Sequence, residues 1–137
     1  MLLSGKFELY KVSFPIKAMS AKSILNAVSA ASIHTPVYLS AAAQTDDPLE
    51  RMKHVITTSM SYIHPTHFFD KPLNPILGET LQGTLLDGSN VYLEQVCHHP
   101  PISYMLQCGP NDIYRWYGYS SFSPKAHFNS IDLNVVG

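Results

Sequence analysis

The chain has 137 residues and a formal net charge of −1, and 45% of its residues are hydrophobic, which suits one domain large enough to bury a core. Only 14% of the residues are charged, and the lack of a basic excess argues against a general surface for nucleic acid or anionic membranes, so any anion site must be local. No apolar run approaches the roughly 18–20 residues that a membrane-spanning helix needs.

The first half of the chain has the spacing and the breaks that are typical of helices. A first helix is predicted over residues 20–33, where several of the spacings between apolar residues are those of one helix face. We expect Pro36 to end this helix. A short second helix is predicted over 37–43, before the polar residues that precede the next element.

The third predicted helix, over 47–63, has the strongest signals. Asp47 is a good N-cap, Pro48 suits the first helical position, and Glu50 completes a capping box. The apolar residues recur at steps of three and four, which is typical of one helix face: Leu49, Met52, Ile56, Met60 and Ile63. We expect this stripe to pack on a sheet, with Lys53 turned to solvent.

The second half has the alternation that is typical of strands joined by tight turns. Asp87-Gly88 is a strong hairpin signal, and residues 109–112 form the next turn. Ser123-Pro124 is expected to break the fourth strand. Strands are predicted over 79–86, 90–98, 102–108, 113–122 and 127–136. Sequential strands joined by short turns pair antiparallel, so the fold class is α+β, with N-terminal helices packed on an antiparallel β-meander.

Residues 94–101 read Glu-Gln-Val-Cys-His-His-Pro-Pro, and this octet is the most informative segment of the chain. Pro100 and Pro101 have no backbone N–H, so the strand ends there and its last side chains can face a ligand. Adjacent side chains of a regular strand point to opposite faces. His98 and His99 therefore reach one ligand only if the strand twists or bulges before the prolines.

A second segment, residues 71–80, reads Lys-Pro-Leu-Asn-Pro-Ile-Leu-Gly-Glu-Thr. Its two prolines stiffen the loop around Asn74, so the loop holds its side chains at low entropic cost. Lys71 supplies a positive charge, Asn74 supplies amide donors, and N–H groups near Gly78 could form an anion-binding nest. Together with the two imidazoles of the octet, these groups make a sensible phosphate cradle.

Both segments resemble signatures of the oxysterol-binding protein family. The octet is similar to the family's Glu-Gln-Val-Ser-His-His-Pro-Pro, with Cys97 in place of the serine. Residues 71–79 look like the family's Lys-Pro-(Phe/Leu)-Asn-Pro-(hydrophobic)-Leu-Gly-Glu, without departure. Residues 47–52 look like the acidic helix start that precedes these blocks. The resemblance runs from about Val12 to the C-terminus.

The resemblance implies the early part of a large, here incomplete, lipid-binding barrel. Residues 1–137 would form this part of the domain, with a lid or entry segment over 1–19, helices over 20–64 and barrel strands over 71–137. By the same resemblance, four residues would bind the lipid headgroup: Lys71, Asn74, His98 and His99. The family's other headgroup contacts, a Lys-Glu-Arg set near the end of the domain, have no counterpart in this sequence.

The function that the resemblance implies is lipid binding and transfer between membranes, in which sterol or phosphatidylserine is exchanged for phosphatidylinositol 4-phosphate. The protein would be cytoplasmic and peripheral at membranes, with transient membrane contact, no cofactor and no nucleic-acid partner. Reduced Cys97 and Cys108 fit that compartment, although a disulfide across a hairpin is also conceivable. The alternative is a truncated family fragment that acts only as a structural or interaction module without binding lipid.

An enzyme has weaker support in the sequence. His64 and His67, with the Cys-His-His run of residues 97–99, have the ligand types of a zinc site. Consecutive residues rarely coordinate one ion, however, and Pro65 would break the helix that aligns the first two histidines. A cysteine–histidine nucleophile pair within the run is also disfavoured, because neighbouring side chains in an extended strand diverge. We therefore predict no catalytic residue and no metal site.

Overall fold

The computed structural model describes residues 7–8, 17, 19–63, 71–126 and 131–136. Over these residues the chain places three helices against one face of an antiparallel sheet. The helices are α1 (Ile24–Ala31), α2 (Thr35–Gln44) and α3 (Pro48–Ile63). The strands are β1 (Phe7–Glu8), β2 (Met19–Ser23), β3 (Lys71–Leu73), β4 (Thr80–Thr84), β5 (Asn90–His98), β6 (Pro101–Cys108), β7 (Arg115–Ala126) and β8 (Ile131–Val136).

The main sheet runs in the order β1–β7–β6–β5–β4, and β8 also pairs with β7. All of these pairs are antiparallel. The predicted α+β fold with an antiparallel meander is therefore confirmed, and the described strands do not close into a barrel. A separate pair of strands, β2 and β3, runs in parallel, which the sequence analysis did not predict.

The start of the helical region differs from the prediction. The helix expected over 20–33 begins only at Ile24, because the residues before it form β2. Pro36 does not end a helix. It lies in the first turn of α2, where its missing N–H would have had no partner within the helix. The short helix predicted over 37–43 is confirmed as part of α2.

The fourth predicted strand continues past Pro124, which we expected to break it. β7 extends to Ala126, and Pro124 lies opposite Leu133 of β8. A proline is tolerated in a strand where no neighbour needs its N–H, and the residues of β1 that the structure describes pair with Lys125 and Ala126 rather than with Pro124. Residues 127–130 of the last predicted strand lie outside the described residues.

A small hydrophobic core lies between α1 and the middle of β5. Leu25, Val91 and Leu93 are at most 2% exposed, and partly buried apolar side chains surround them: Ile24, Val28, Leu81, Leu85 and Met105. Alternate residues of β5 therefore face the helices, as the period of two in a strand requires. The intervening residues, Tyr92 and Glu94, are exposed on the opposite, open face of the sheet.

A chain of buried polar side chains continues this interface beyond the apolar core. The Thr35 hydroxyl of α2 lies 2.7 Å from Oε1 of Gln107 in β6, and Nε2 of Gln107 donates to the Tyr114 hydroxyl at 3.1 Å. The Tyr114 hydroxyl lies 2.7 Å from that of Ser89. Thr35, Ser89 and Gln107 are fully buried. We call these four residues the buried polar chain, and they tie the helices to the sheet by directional hydrogen bonds.

The third helix packs with a different face from the one that its sequence predicts. Thr58 is fully buried, and Val55 and Tyr62, which share its face, are half-buried. The predicted apolar stripe is 52–66% exposed: Leu49, Met52, Ile56, Met60 and Ile63. The prediction that this stripe packs on the sheet is therefore wrong, whereas Lys53 is exposed as expected.

The contacts of α3 explain this orientation. The Tyr62 hydroxyl donates to the Val28 carbonyl of α1 at 3.3 Å, which turns the Tyr62 face inward. The buried Thr58 hydroxyl donates to the His54 carbonyl within the helix at 2.9 Å, so it needs no partner across the interface. The helix start is as predicted in one respect, since Asp47 Oδ1 accepts from the Leu49 N–H at 2.9 Å.

Candidate functional site

The turn that ends the second motif and the turn of the octet lie at the same end of the main sheet. β4 begins directly after residues 76–79, β5 ends at His98, and β6 begins at Pro101. Because antiparallel neighbours reverse direction at a common edge, the two turns emerge side by side. The opposite end of the sheet carries the turns over 85–89 and 109–114.

The two motifs are joined directly by backbone hydrogen bonds. The Gly78 N–H donates to the Gln95 carbonyl at 2.9 Å, and the Gln95 N–H donates to the Glu79 carbonyl at 3.0 Å. The 76–79 turn is closed by the Glu79 N–H, which donates to the Ile76 carbonyl at 3.0 Å. The Glu79 carboxylate accepts from the Ile76 N–H at 3.1 Å. Glu79 therefore stabilises the 76–79 turn, and the hydrogen bonds to Gln95 attach that turn to β5.

The same bonds correct the prediction of an anion-binding nest near Gly78. Gly78 has a φ of 78°, as the turn requires. The N–H groups of Ile76, Gly78 and Glu79 all donate to protein oxygens. These three groups are therefore unavailable to a ligand.

Strand β5 contains a bulge, one of the two irregularities that would let both imidazoles reach one ligand. Gln95 pairs with Ser103, whereas Cys97 pairs with Ile102, so Val96 is an extra residue on β5. A bulge of this kind changes the direction in which the following side chains point. It lies immediately before His98, where it can bring adjacent side chains to one side.

The Gln95 side chain holds this bulge in place, a role that the sequence analysis missed. It is fully buried. Its Nε2 donates to the Cys97 carbonyl at 2.7 Å across the bulge, and its Oε1 accepts a short hydrogen bond from the Ser103 hydroxyl. Strand alternation places Gln95 on the helix-facing side, but the sequence alone gave no signal that its amide spans a bulge.

The imidazole pair, His98 and His99, lies at the end of the bulged strand. The ring centroids are 4.7 Å apart and the ring planes meet at 65°. His98 is half-buried and His99 is exposed. Nδ1 of His98 is buried without a hydrogen-bond partner, and such an atom is available to a ligand that enters the site.

The other two predicted headgroup residues precede the 76–79 turn. Lys71 is the first residue of β3, lies opposite Met19 of β2 and is half-buried. Asn74 is exposed, whereas Pro75 beside it is fully buried. The buried proline fixes the loop to the fold while the amide of Asn74 faces outward.

Other candidate sites are less well supported by the structure. A shallow groove of about 740 Å³ lies on the open face of the sheet, where it is lined by tyrosines among other residues, but none of the four predicted headgroup residues contributes to it. Cys97 and Cys108 are free thiols near opposite ends of the β5–β6 pair, which corrects the possible disulfide. In the part of the chain that the structure describes, no helix is long and apolar enough to cross a membrane.

The zinc site that the sequence analysis weighed and disfavoured combines His64 and His67 with residues 97–99. His64 and His67 lie outside the described residues, as does most of the predicted lid over 1–19. Among the residues that are described, no group of three or more potential ligands is placed to hold a metal ion.

Known proteins are similar to this chain in both sequence and fold. The family model "Oxysterol-binding protein" matches residues 4–137. Oxysterol-binding protein 9 from Dictyostelium discoideum is 39% identical over 130 residues, which cover 95% of this chain and 30% of that protein. The Osh1 ORD domain in complex with ergosterol superimposes with a TM-score of 0.80 at 25% identity, covering 96% of this chain and 31% of the solved chain.

The Osh3 ORD of Saccharomyces cerevisiae in complex with PI(4)P is also similar. Its TM-score is 0.69 at 25% identity, and the match covers 91% of this chain and 33% of the solved chain. The chain thus spans about a third of the length of each of these three relatives. The family model extends over nearly the whole sequence, and both motifs lie in the matched region. This chain therefore belongs to the oxysterol-binding protein family.

Proposed function

We propose that the chain is part of a lipid-binding and lipid-transfer domain whose headgroup site comprises Lys71, Asn74, His98 and His99. The observation that carries the proposal is the placement of the imidazole pair beside the 76–79 turn at one end of the sheet. In the proposed cycle, sterol or phosphatidylserine is exchanged for phosphatidylinositol 4-phosphate between membranes. The protein would be cytoplasmic and would touch membranes peripherally.

The chemistry of the four side chains supports a phosphate ligand. A lysine ammonium and imidazole N–H groups form charge-assisted hydrogen bonds with phosphate oxygens, which are about twice as strong as neutral ones. The exposed amide of Asn74 adds a donor, and the partnerless Nδ1 of His98 adds another polar contact. Because the backbone N–H groups of Ile76, Gly78 and Glu79 are already used, specificity would rest mainly on these side chains.

The solved relatives support the choice of ligands. One of them binds ergosterol and another binds PI(4)P, and the chain shares its fold with both. The apolar part of either lipid would lie along the barrel wall to which β4–β8 belong. Removing apolar surface from water contributes roughly 25 cal/mol per Å², so the wall would supply most of the affinity for sterol and the headgroup site most of the selectivity for phosphoinositide.

Titration calorimetry with a short-chain, water-soluble phosphatidylinositol 4-phosphate tests the headgroup site. Removing a partner from a desolvated charge pair costs about 2–5 kcal/mol, so His98→Ala combined with His99→Ala should abolish measurable binding. His34→Ala is a matched control, because His34 is exposed on a turn between α1 and α2. It should bind as the unmodified chain does.

Sterol binding distinguishes a headgroup role from a loss of fold. The double histidine variant should retain sterol binding, measured with a fluorescent sterol, in any form of the protein that binds sterol. Equal loss of both lipids in a variant with an unchanged thermal unfolding transition would contradict the proposed site. Failure of the unmodified chain to bind either lipid would favour the alternative, a structural or interaction module.

A further inference from the structure

Two aliphatic side chains protrude from the turn beside the proposed headgroup site. Ile76 is 70% exposed and Leu77 is 65% exposed. They are neighbours at the tip of the 76–79 turn, and Leu73 on the same loop is 41% exposed. We call Ile76 and Leu77 the apolar tip. A soluble surface rarely keeps two adjacent large aliphatic side chains so exposed at a loop tip unless they contact something.

The apolar tip is held firmly. The Glu79 backbone and carboxylate both bond to Ile76, and the residues that follow Leu77 are hydrogen-bonded to Gln95 of β5. Pro75, immediately before the tip, is fully buried. Because the turn is already ordered, little conformational entropy is lost when the two side chains enter an apolar phase.

The position of the tip identifies the apolar phase. It lies at the end of the sheet that carries the imidazole pair, and it follows β3, whose first residue is Lys71, a charge that suits an anionic lipid surface. The tip is too small for a typical protein interface, whereas two exposed aliphatic side chains that follow a basic residue within the same motif suit the boundary between headgroups and acyl chains.

We infer that the apolar tip inserts into the membrane surface and brings the headgroup site to the lipid that it extracts. The inference rests on the proposed function, because it assigns a bilayer as the partner of that site. Insertion of Ile76 and Leu77 would set the depth and orientation of the domain, so that His98 and His99 reach the headgroup level.

The opposite end of the sheet provides a matched control. Leu86 lies in the turn between β4 and β5 and is fully exposed. It is a single aliphatic residue beside Asp87, at the end away from the imidazole pair. If exposure alone caused membrane binding, Leu86 would contribute as much as either residue of the tip.

Vesicle flotation tests the inference with phosphatidylcholine vesicles, with and without phosphatidylinositol 4-phosphate. Each aliphatic side chain that is removed should weaken vesicle association roughly tenfold. Ile76→Ser combined with Leu77→Ser should thus lower association by about a hundredfold, whereas Leu86→Ser should leave it unchanged. Titration with the short-chain lipid should give the same affinity for all three proteins. Equal vesicle association of the tip variant and the unmodified chain would overturn the inference, as would an unmodified chain that does not bind vesicles.

Tryptophan fluorescence provides a second measurement that does not depend on loss of binding. With vesicles, the emission of Leu77→Trp should shift to shorter wavelength and be quenched by brominated lipid. The emission of Leu86→Trp should change no more than that of the unmodified chain, whose single tryptophan is Trp116. Loss of short-chain lipid binding in the tip variant would also overturn the inference, because the tip would then belong to the headgroup site. Tip-dependent association that does not respond to phosphatidylinositol 4-phosphate would support the inference and contradict the proposed function.

Discussion

Replacing Gln95 with leucine should destabilise the fold and disrupt the imidazole pair together. Gln95 is fully buried, its Nε2 donates to the Cys97 carbonyl, and its Oε1 accepts from Ser103. Leucine has a similar volume but makes neither bond. A buried polar group left without a partner costs about 1–3 kcal/mol, and Gln95→Leu leaves two such groups. The free energy of unfolding should therefore fall by about 2–6 kcal/mol.

Urea unfolding measures the loss in free energy of unfolding, and two further variants show whether the loss comes from the hydrogen bonds of Gln95. Ser103→Ala leaves only Oε1 of Gln95 without its donor, so it should cost about 1–3 kcal/mol. Gln82→Leu is the matched control, because Gln82 is an exposed glutamine on β4, opposite Tyr92. Its effect should stay within about 0.5 kcal/mol. Gln95→Leu combined with Ser103→Ala should lower the free energy of unfolding by less than the sum of the two single changes, because both remove the hydrogen bond between Ser103 and Gln95.

Binding of short-chain phosphatidylinositol 4-phosphate tests whether Gln95 also keeps His98 and His99 on one side of the strand. Without the amide across the bulge, β5 can relax toward regular alternation, and His98 and His99 would then point to opposite faces. Affinity should fall even where the Gln95→Leu protein is still folded, in contrast to Gln82→Leu. A Gln95→Leu variant with unchanged stability and unchanged affinity would refute the idea that this amide holds the bulge.

Three further predictions concern the rest of the described structure. Gly109→Ala should lower the unfolding temperature markedly, because the new Cβ would lie 2.6 Å from the Tyr114 ring, and crowding of this kind costs about 1–3 kcal/mol. Burial raises the pKa of the Tyr62 and Tyr114 hydroxyls in the folded protein. As pH rises, the unfolded chain therefore loses these two protons at a lower pH than the folded protein does. The free energy of unfolding should thus fall as pH rises above about 10. Tyr62→Phe should flatten that alkaline decline in unfolding temperature. Met52→Ser with Ile56→Ser should change unfolding free energy by less than about 1 kcal/mol, since both side chains are already exposed; a larger loss would show that the stripe is packed.

The features that the sequence predicted are those set by local chemistry. Asp47 begins α3 and accepts the hydrogen bond expected of an N-cap. Gly88 has a φ of 87° in the turn between β4 and β5, as an Asp-Gly hairpin signal indicates. Strand geometry alone showed that both imidazoles can reach one ligand only if the strand twists or bulges before Pro100. In each case the signal and its consequence lie within a few residues.

The features that the sequence could not predict depend on distant partners. The helical spacing of Leu49, Met52 and Ile56 identifies an apolar face, but the side of α3 that packs is decided by contacts such as that of Tyr62 with α1. Likewise, N–H groups near Gly78 suggested a nest until pairing with Gln95 was known. The assignment of Lys71, Asn74, His98 and His99 as headgroup ligands stays a prediction, carried by the family resemblance.

The buried polar chain has a consequence for how the helices find their place on the sheet. Thr35 and Gln107 are 72 residues apart in sequence, so their contact can form only after the β-meander and the helices have met. An apolar interface would tolerate a helix displaced by one turn, because hydrophobic contact is not directional. Here such a displacement would leave Oε1 of the fully buried Gln107 without the Thr35 hydroxyl that faces it, at a cost that an apolar contact cannot offset. The polar chain therefore acts against misdocked arrangements, and it selects one register of helices on the sheet rather than adding much to the stability of that register.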